Sequence, residues 1–262
     1  RDAGFAVPEA MLQKTLERLN EDLLSGGLPF YAYDQSDHLR FAYQAQAGLV
    51  LASLNRAPLG TLRALHDNQR KNSLTGLPLV QLGLALSLQG DAARGDAAIR
   101  EGLAKASRRP RWLGDYGSET SDQALVLALL REHDRDTDGQ DERLLALSRD
   151  LQARGSGSPA WYSTREQIAL ARLGRQLALD GERTFAGQCS TCHTITPGGA
   201  NGTGPNLHNI VGGPKMHIAG FNYSGPMTAA EGQWTYENLD AWLKSPAGYM
   251  RGTSMSFAGI KR

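Results

Sequence analysis

Both cysteines of the chain fall in one pentapeptide, Cys189-Ser190-Thr191-Cys192-His193. A chain with only this pair cannot be a disulfide scaffold. The two thiols stand about one helical turn apart, so both can face one flat ligand. A His directly after the second Cys makes the pattern that of covalent haem c attachment. In that reading each thiol forms a thioether with a porphyrin vinyl group, and His193 supplies an axial nitrogen to the iron. Two other chemistries use the same spacing. Cys-x-x-Cys is half of a zinc site, which His208 and His217 could complete. It is also the spacing of a thioredoxin-like redox pair, but that needs a strand–helix context and no strand pattern is visible.

Composition divides the chain. Residues 1–180 carry 22 basic and 23 acidic side chains, residues 181–262 carry 6 and 4, and the whole chain has a net charge of +1. This balance leaves no polybasic footprint for nucleic acid or a membrane surface. No apolar run is long enough to predict a transmembrane segment. The chain begins at Arg1 with no Met and no secretory leader pattern, as expected of a processed chain or a piece of a longer one. Four of the five Met and both Cys lie after residue 180. That part is rich in Gly, Asn, Pro and Thr, as in Pro197-Gly-Gly-Ala-Asn-Gly-Thr-Gly-Pro205, and reads as loop-rich. We therefore expect two domains, 1–178 and 179–262.

In the first part apolar residues recur at helical spacing. The pattern predicts a helix opened by Pro8 with Met11, Leu12, Leu16, Leu19 and Leu23 on one side. A second, capped by Asp37, carries Phe41, Ala45, Leu49 and Leu54. Others are predicted over 59–67, 78–89, 91–107, 119–133 and 141–154. Arg108–Trp112 and Gly114–Gly117 read as loop, and Gly155-Ser-Gly-Ser-Pro159 as a connector. Ser163-Thr-Arg-Glu166 is a capping-box pattern that starts a last helix running to about Leu179. The result is an all-α array of helical hairpins without a fixed repeat period. The Leu and Ala stripes are read as helix-pair core. Trp112, Trp161 and Tyr162 are read as packed anchors, and His38, His66, His133, His208 and His217 as ordinary loop or surface residues.

Downstream of His193 the motifs fall in a specific order: Gly204-Pro205-Asn206-Leu207, Gly220-Phe-Asn-Tyr223, Trp234, Trp242, and Gly252-Thr-Ser-Met255. With the Cys-x-x-Cys-His unit, this series resembles a class I cytochrome c of the mitochondrial and bacterial c2 kind, over about 178–262. The resemblance implies one covalent haem c with Met255 as second axial ligand. It implies that Pro205 sets its carbonyl against the outer nitrogen of His193. Tyr223 and Trp234 would donate to a haem propionate, Thr253 would sit near the Met sulfur, and Phe257 would pack over the haem edge. Trp242 stands where the family usually has Tyr, and Arg251 where it has Pro. The family continues into a further helix, so the expectation is a cytochrome domain lacking its last helix.

Three stretches carry a second resemblance: Ala3–Leu12, Asp115-Tyr-Gly-Ser-Glu-Thr-Ser-Asp-Gln-Ala-Leu125 and Trp161-Tyr-Ser-Thr-Arg-Glu-Gln-Ile-Ala-Leu170. They resemble the thioester-containing helical domain of bacterial alpha-2-macroglobulins, an α/α toroid of helical hairpins. That family traps proteases in the periplasm through a Cys–Gln thioester. No Cys-x-Glu-Gln motif occurs in this chain, so the resemblance carries no thioester residue over.

The leading expectation is a periplasmic, non-enzymatic electron carrier. With both axial positions filled, a His/Met haem suits outer-sphere electron transfer, and the thioether favours the ferrous state. Lys215, Lys244, Lys261 and Arg262 would steer docking to redox partner proteins with acidic patches. The alternative is a helical binding or protease-inhibitor module with the cytochrome part accessory, or a composite reading frame.

Overall fold

The structure is a computed structural model and describes residues 6–26, 36–105, 113, 115, 117–135, 137, 139–155 and 161–260. Among them there is no strand, only an isolated antiparallel bridge between Pro214 and Gln233. The loop at Arg108–Trp112, most of the 155–159 connector, and Lys261 and Arg262 lie outside the described residues. The chain divides into two compact units, Arg1–Leu177 and Ala178–Arg262.

Unit 1 is built from α1 (Glu9–Ser25), α2 (Ser36–Ser53), α3 (Leu59–Gln69), α4 (Gly76–Leu88), α5 (Ala92–Ala104), α6 (Glu119–Glu132), α7 (Gln140–Gly155) and the first part of α8 (Thr164–Gln188). Every helix expected in the first part of the chain is present. Asp37 lies in the first turn of α2, which begins at Ser36, so it is not the cap; there it complements the helix dipole. Helix α8 runs nine residues past the expected stop at Leu179, to Gln188. A Cβ on Gly181 would meet nothing within 4 Å, and no Pro interrupts Asp180–Gln188, so nothing local stops it.

Helix α4 organises this unit. Nine of its thirteen residues are buried, so it is apolar all round and must be surrounded. It packs against α2, α3, α5 and α6. Its approach to α5 is set by glycines seven residues apart on each helix. A Cβ on Gly83 would fall 2.6 Å from the Gly95 carbonyl oxygen, and one on Gly95 would meet Ser87 Oγ and lie 2.7 Å from the Gly83 oxygen. Gly76 and Gly102 repeat the arrangement seven residues along, where a Cβ on Gly102 would fall 2.7 Å from the Gly76 oxygen. The absence of side chains at these four positions lets the two backbones touch.

Helix α6 joins two apolar clusters. Val126, Leu129 and Leu130 belong to the core around α4, while Ala124, Leu127 and Ala128 pack with Leu147, Ala169 and Leu173 of α7 and α8. Its N-terminus is a capping box formed by Ser118 and Ser121. The expected Ser163–Glu166 box is present too: Glu166 Oε2 accepts from the Ser163 N–H at 2.8 Å, and Ser163 Oγ accepts from the Glu166 N–H at 3.3 Å. Glu166 Oε1 accepts from Ser118 Oγ at 2.8 Å, so one buried carboxylate ties the starts of α6 and α8 together. Burial alone would raise its pKa, but the hydrogen bonds from Ser163 and Ser118, with Arg154 nearby, hold it below the ordinary value.

Three expectations are corrected by the packing. His38 and His66 are core residues, not surface ones: each is under 8% exposed, and His38 Nδ1 accepts the Leu74 N–H at 3.2 Å. His133 is half-buried, and burial holds its imidazole below the ordinary value. Trp161 is 89% exposed, so it is no packed anchor; it precedes the α8 cap and lies on no apolar face.

Gly95→Ala should lower stability by about 1–3 kcal/mol through overpacking against α4. Gly174→Ala, in α8 with nothing near its Cβ, should raise it by roughly 0.5–1 kcal/mol. Chemical denaturation followed by far-ultraviolet circular dichroism reads both, and equal signs would refute the account. Because folding holds Glu166 below its ordinary value, ionised Glu166 adds stability that is complete above the ordinary carboxylate range and is lost as pH falls through the lowered value. The stability gap between wild type and Glu166→Gln should therefore narrow on acidification, in denaturation curves taken at stepped pH.

Candidate functional site

Unit 2 carries little regular structure: the end of α8, α9 (Gly225–Thr228), α10 (Tyr236–Lys244) and α11 (Pro246–Tyr249). Its core is aromatic and sulfur-rich. Met227, Trp234 and Trp242 are buried, with Tyr223, Leu239, Tyr249, Met250 and Met255 against them. The Trp234 and Trp242 rings lie 5.5 Å apart, and Tyr249 meets Trp242 edge-on at 5.9 Å.

This core does not close on itself. It borders a cavity of about 430 Å³, within the usual range for a small-molecule or cofactor site. All eight residues expected to hold a bound group line it: Cys189, Cys192, His193, Pro205, Tyr223, Trp234, Thr253 and Met255. Phe257 and Trp242 line it as well. They come from the end of α8, three loops and α10, over almost seventy residues of chain.

The cysteine segment sits where α8 ends. Cys189 and Ser190 both donate their N–H to the Phe185 carbonyl, and Cys192 and His193 both donate to the Cys189 carbonyl. One turn thus presents Cys189, Cys192 and His193 at the same rim. Cys189 is half-buried and Cys192 exposed. Burial, with a smaller contribution from Cys192, pushes the Cys189 thiol pKa up. A raised thiol pKa is the opposite of what a redox-active Cys pair needs. The zinc reading also fails to find its ligands: among the described residues no group of three or more His, Cys, Asp or Glu is placed to hold a metal ion.

His193 is held by the wall of the cavity itself. Its Nδ1 lies 2.7 Å from the Pro205 carbonyl oxygen. A carbonyl only accepts, so Nδ1 carries a proton, and in the neutral ring Nε2 keeps the lone pair. Gly204 makes this contact possible: a Cβ there would fall 2.6 Å from Nδ1 and 2.7 Å from Nε2 of the ring. The Gly204 N–H donates to the Cys192 carbonyl at 2.9 Å. Buried Asn206 then locks the loop, donating from Nδ2 to Thr194 Oγ1 at 2.6 Å and to the Thr196 carbonyl at 3.0 Å.

On the other side, the Met255 N–H donates to Thr253 Oγ1 at 3.2 Å, which fixes the tight turn before the Met side chain. Tyr223 Oη accepts the Ile218 N–H at 3.1 Å and keeps its own proton to donate. Trp234 Nε1–H donates to the Lys215 carbonyl at 3.3 Å. Two of the four cations expected to steer partners are otherwise engaged. Lys244 pairs with Asp240 at 2.7 Å, and the Lys215 ammonium lies over the Trp234 and Tyr249 rings. Lys215 and His217 both line the cavity as well, where the sequence marks Lys215 only as a docking charge and His217 only as a ligand of the zinc alternative. Only the fold reveals that, since neither belongs to a spaced motif.

Fold and site together define an all-α protein in which a helical-hairpin array is joined to a small unit built around one cysteine- and histidine-rimmed cavity. Relatives are found for both parts. No family model matches the chain. The N-terminal region is similar to the alpha-2-macroglobulin of Xylella fastidiosa strain Temecula1, 55% identical over 188 residues, covering 71% of this chain and 12% of that protein. The chain thus spans a small part of the alpha-2-macroglobulins it matches. The structure of Salmonella alpha-2-macroglobulin reacted with methylamine matches 67% of this chain and 11% of its own, with a TM-score of 0.61 and 38% identity. The cytochrome c homolog of Rickettsia conorii is 33% identical over 122 residues, covering 43% of this chain and 70% of that protein. Over that region the chain belongs to the family of these cytochrome c homologs.

Gly204→Ala should push the His193 ring off the Pro205 carbonyl. Ring nitrogen NMR would register it as loss of the Nδ1-protonated form. A ring that keeps that tautomer would refute the role given to Gly204.

Proposed function

We propose that unit 2 binds one haem c covalently and serves as a one-electron carrier rather than an enzyme. The observation that carries this reading is the cavity whose lining includes Cys189, Cys192, His193 and Met255. The fit is chemical as well as spatial. A porphyrin brings its own four nitrogens, so the chain needs to supply only one nitrogen and one sulfur to the iron. That agrees with a site holding no cluster of metal-ligating side chains among the described residues. The remaining lining combines aromatic and aliphatic side chains such as Ile210, Trp242 and Phe257, which suit a flat apolar ring, with polar ones such as Lys215 and His217.

Each chain residue has a defined task. The Cys189 and Cys192 thiols would hold the group by adding across its two vinyl groups, each sulfur bonding to one carbon and its hydrogen passing to the other, with no oxidant consumed. His193 offers Nε2, because the Pro205 carbonyl holds the proton on Nδ1 and fixes the ring plane. Met255 offers a soft thioether that favours the reduced state. When bound, the group would supply a ferric–ferrous couple, its iron held by His193 and Met255.

A second reading rests on its own observation, the 55% identity of the N-terminal region to an alpha-2-macroglobulin. In it unit 1 is a helical binding module of the kind found in those inhibitors, and the cytochrome part is accessory. Its tightly packed α4–α5 pair suits a scaffold more than a site. Both readings favour the periplasm, where haem c is attached and where bacterial alpha-2-macroglobulins act. Redox partner proteins would dock on the side of unit 2 where the ring edge meets Phe257.

The test is expression with a haem c maturation system, followed by denaturing electrophoresis, haem staining and intact mass. The expected result is one haem that survives denaturation and is lost in Cys189→Ala/Cys192→Ala. Met255→Ala should retain the haem, lower the reduction potential and let carbon monoxide bind the reduced iron. A colourless wild-type chain, or an unchanged potential in Met255→Ala, would overturn the reading and move the weight to unit 1.

A further inference from the structure

Unit 1 holds a polar cavity of about 270 Å³ that neither functional reading uses. It lies among the end of α1, the first turns of α2, and the end of α3 with the short turn Arg70–Asn72 that follows it. Asp37, Arg40 and Gln44 stand at i, i+3 and i+7 on one face of α2, and all three line the cavity. Half-buried Gln69 and Asn72 add two more amides to the lining. Gln44 is only 5% exposed. Its Nε2 donates to the Leu23 carbonyl at 2.8 Å, which fixes the orientation of the amide. Its Oε1 is buried and has no hydrogen-bond partner. Buried polar atoms are paired as a rule, so this acceptor calls for a donor from outside the chain. Arg40 is positioned beside it. A Cβ on Gly26 would fall 2.8 Å from Arg40 Cδ and 3.2 Å from its Cγ, so the arginine stem lies across the cap of α1. Among the described residues neither the Arg40 guanidinium nor the Asp37 carboxylate is taken up in an ion pair.

We propose that this cavity binds a free α-amino acid, its carboxylate on the Arg40 guanidinium and its ammonium shared between the Asp37 carboxylate and Gln44 Oε1. The assignment is independent of the haem reading and concerns residues of unit 1 alone. The ligand class follows from the groups that face the cavity. A guanidinium matches a carboxylate through two parallel hydrogen bonds. An ammonium carries three donors and no acceptor, so it satisfies an amide oxygen and a carboxylate together. A phosphate or a dicarboxylate would set another acceptor against Oε1 and negative charge against Asp37. A polyamine would be repelled by Arg40. The amides of Gln69 and Asn72 both donate and accept, so they suit a polar side chain on the ligand. Asp37 and Arg40 are exposed, and solvent screening keeps each charge contact modest. The expected affinity is therefore weak, between micromolar and millimolar.

The experiment uses the full chain, as wild type, Arg40→Gln, Arg40→Lys, Asp37→Asn and Gln44→Met. Saturation-transfer NMR screens the common L-amino acids at millimolar concentration, and titration calorimetry measures the best binder. Two derivatives of that binder separate the contacts: the N-acetyl form, which lacks the ammonium, and the carboxamide, which lacks the carboxylate. The expected result is saturable binding of one or a few polar amino acids. Each derivative should bind about tenfold more weakly or worse, as should Arg40→Gln, Asp37→Asn and Gln44→Met toward the parent amino acid. Arg40→Lys should keep part of the affinity. Circular dichroism melts establish that each variant is folded. No saturable binding by any amino acid would overturn the proposal. So would binding that both derivatives retain, or that Arg40→Gln and Asp37→Asn leave unchanged. Because Arg40 and Asp37 are exposed, their variants decide the matter even if Gln44→Met does not accumulate.

Discussion

The hydrogen bond from His193 Nδ1 to the Pro205 carbonyl is the constraint on which unit 2 depends. It joins the turn that ends α8 to a loop with no regular structure of its own. A unit with so few helical residues cannot hold its loops by backbone ladders, so side chains do that work. Asn206 illustrates it. Its side chain binds Thr194 Oγ1 and the Thr196 carbonyl, and its own carbonyl meets His217. The same network that orders the loop therefore orients the two histidines that line the cavity. Gly204 is the steric condition for all of it, since any side chain there would occupy the space of the ring.

Unit 1 solves a different problem. Its central helix α4 has apolar residues on every side, and its stability comes from surrounding that helix completely. Gly76, Gly83, Gly95 and Gly102 bring α5 close enough for backbones to touch. Polar groups at the helix starts are paired in turn, with Glu166 serving the caps of both α6 and α8. Burial and charge pull its pKa in opposite directions, and the hydrogen bonds decide the outcome. This unit is organised by apolar helix packing, whereas unit 2 leaves polar and sulfur groups lining a cavity.

Much of this was legible along the chain. Leu spacing gave the helices of unit 1, and Ser163-Thr-Arg-Glu166 gave a cap that the structure reproduces. The Cys-x-x-Cys-His pentapeptide and the ordered downstream motifs named eight residues that do share one cavity. Other features were not legible. His38 and His66 looked like surface histidines, because burial of a polar residue depends on partners far along the chain. Trp161 looked like an anchor by type, yet no apolar face receives it. Lys215 was read as a steering charge, but it lies against two rings that are its neighbours only in space.

The sequence by itself determined the helical periods, the caps and the chemistry of the cysteine–histidine turn. These depend on residues within one or two turns of each other, where spacing and propensity dictate geometry. Tertiary structure alone decided which polar atoms remain open. The unpaired Nδ1 of His217, the engaged N–H of Trp234 and the carboxylate-free cavity lining each arise from segments distant in sequence. A hydrogen bond is satisfied or left open by what packing brings within about 3 Å, and no local pattern records that.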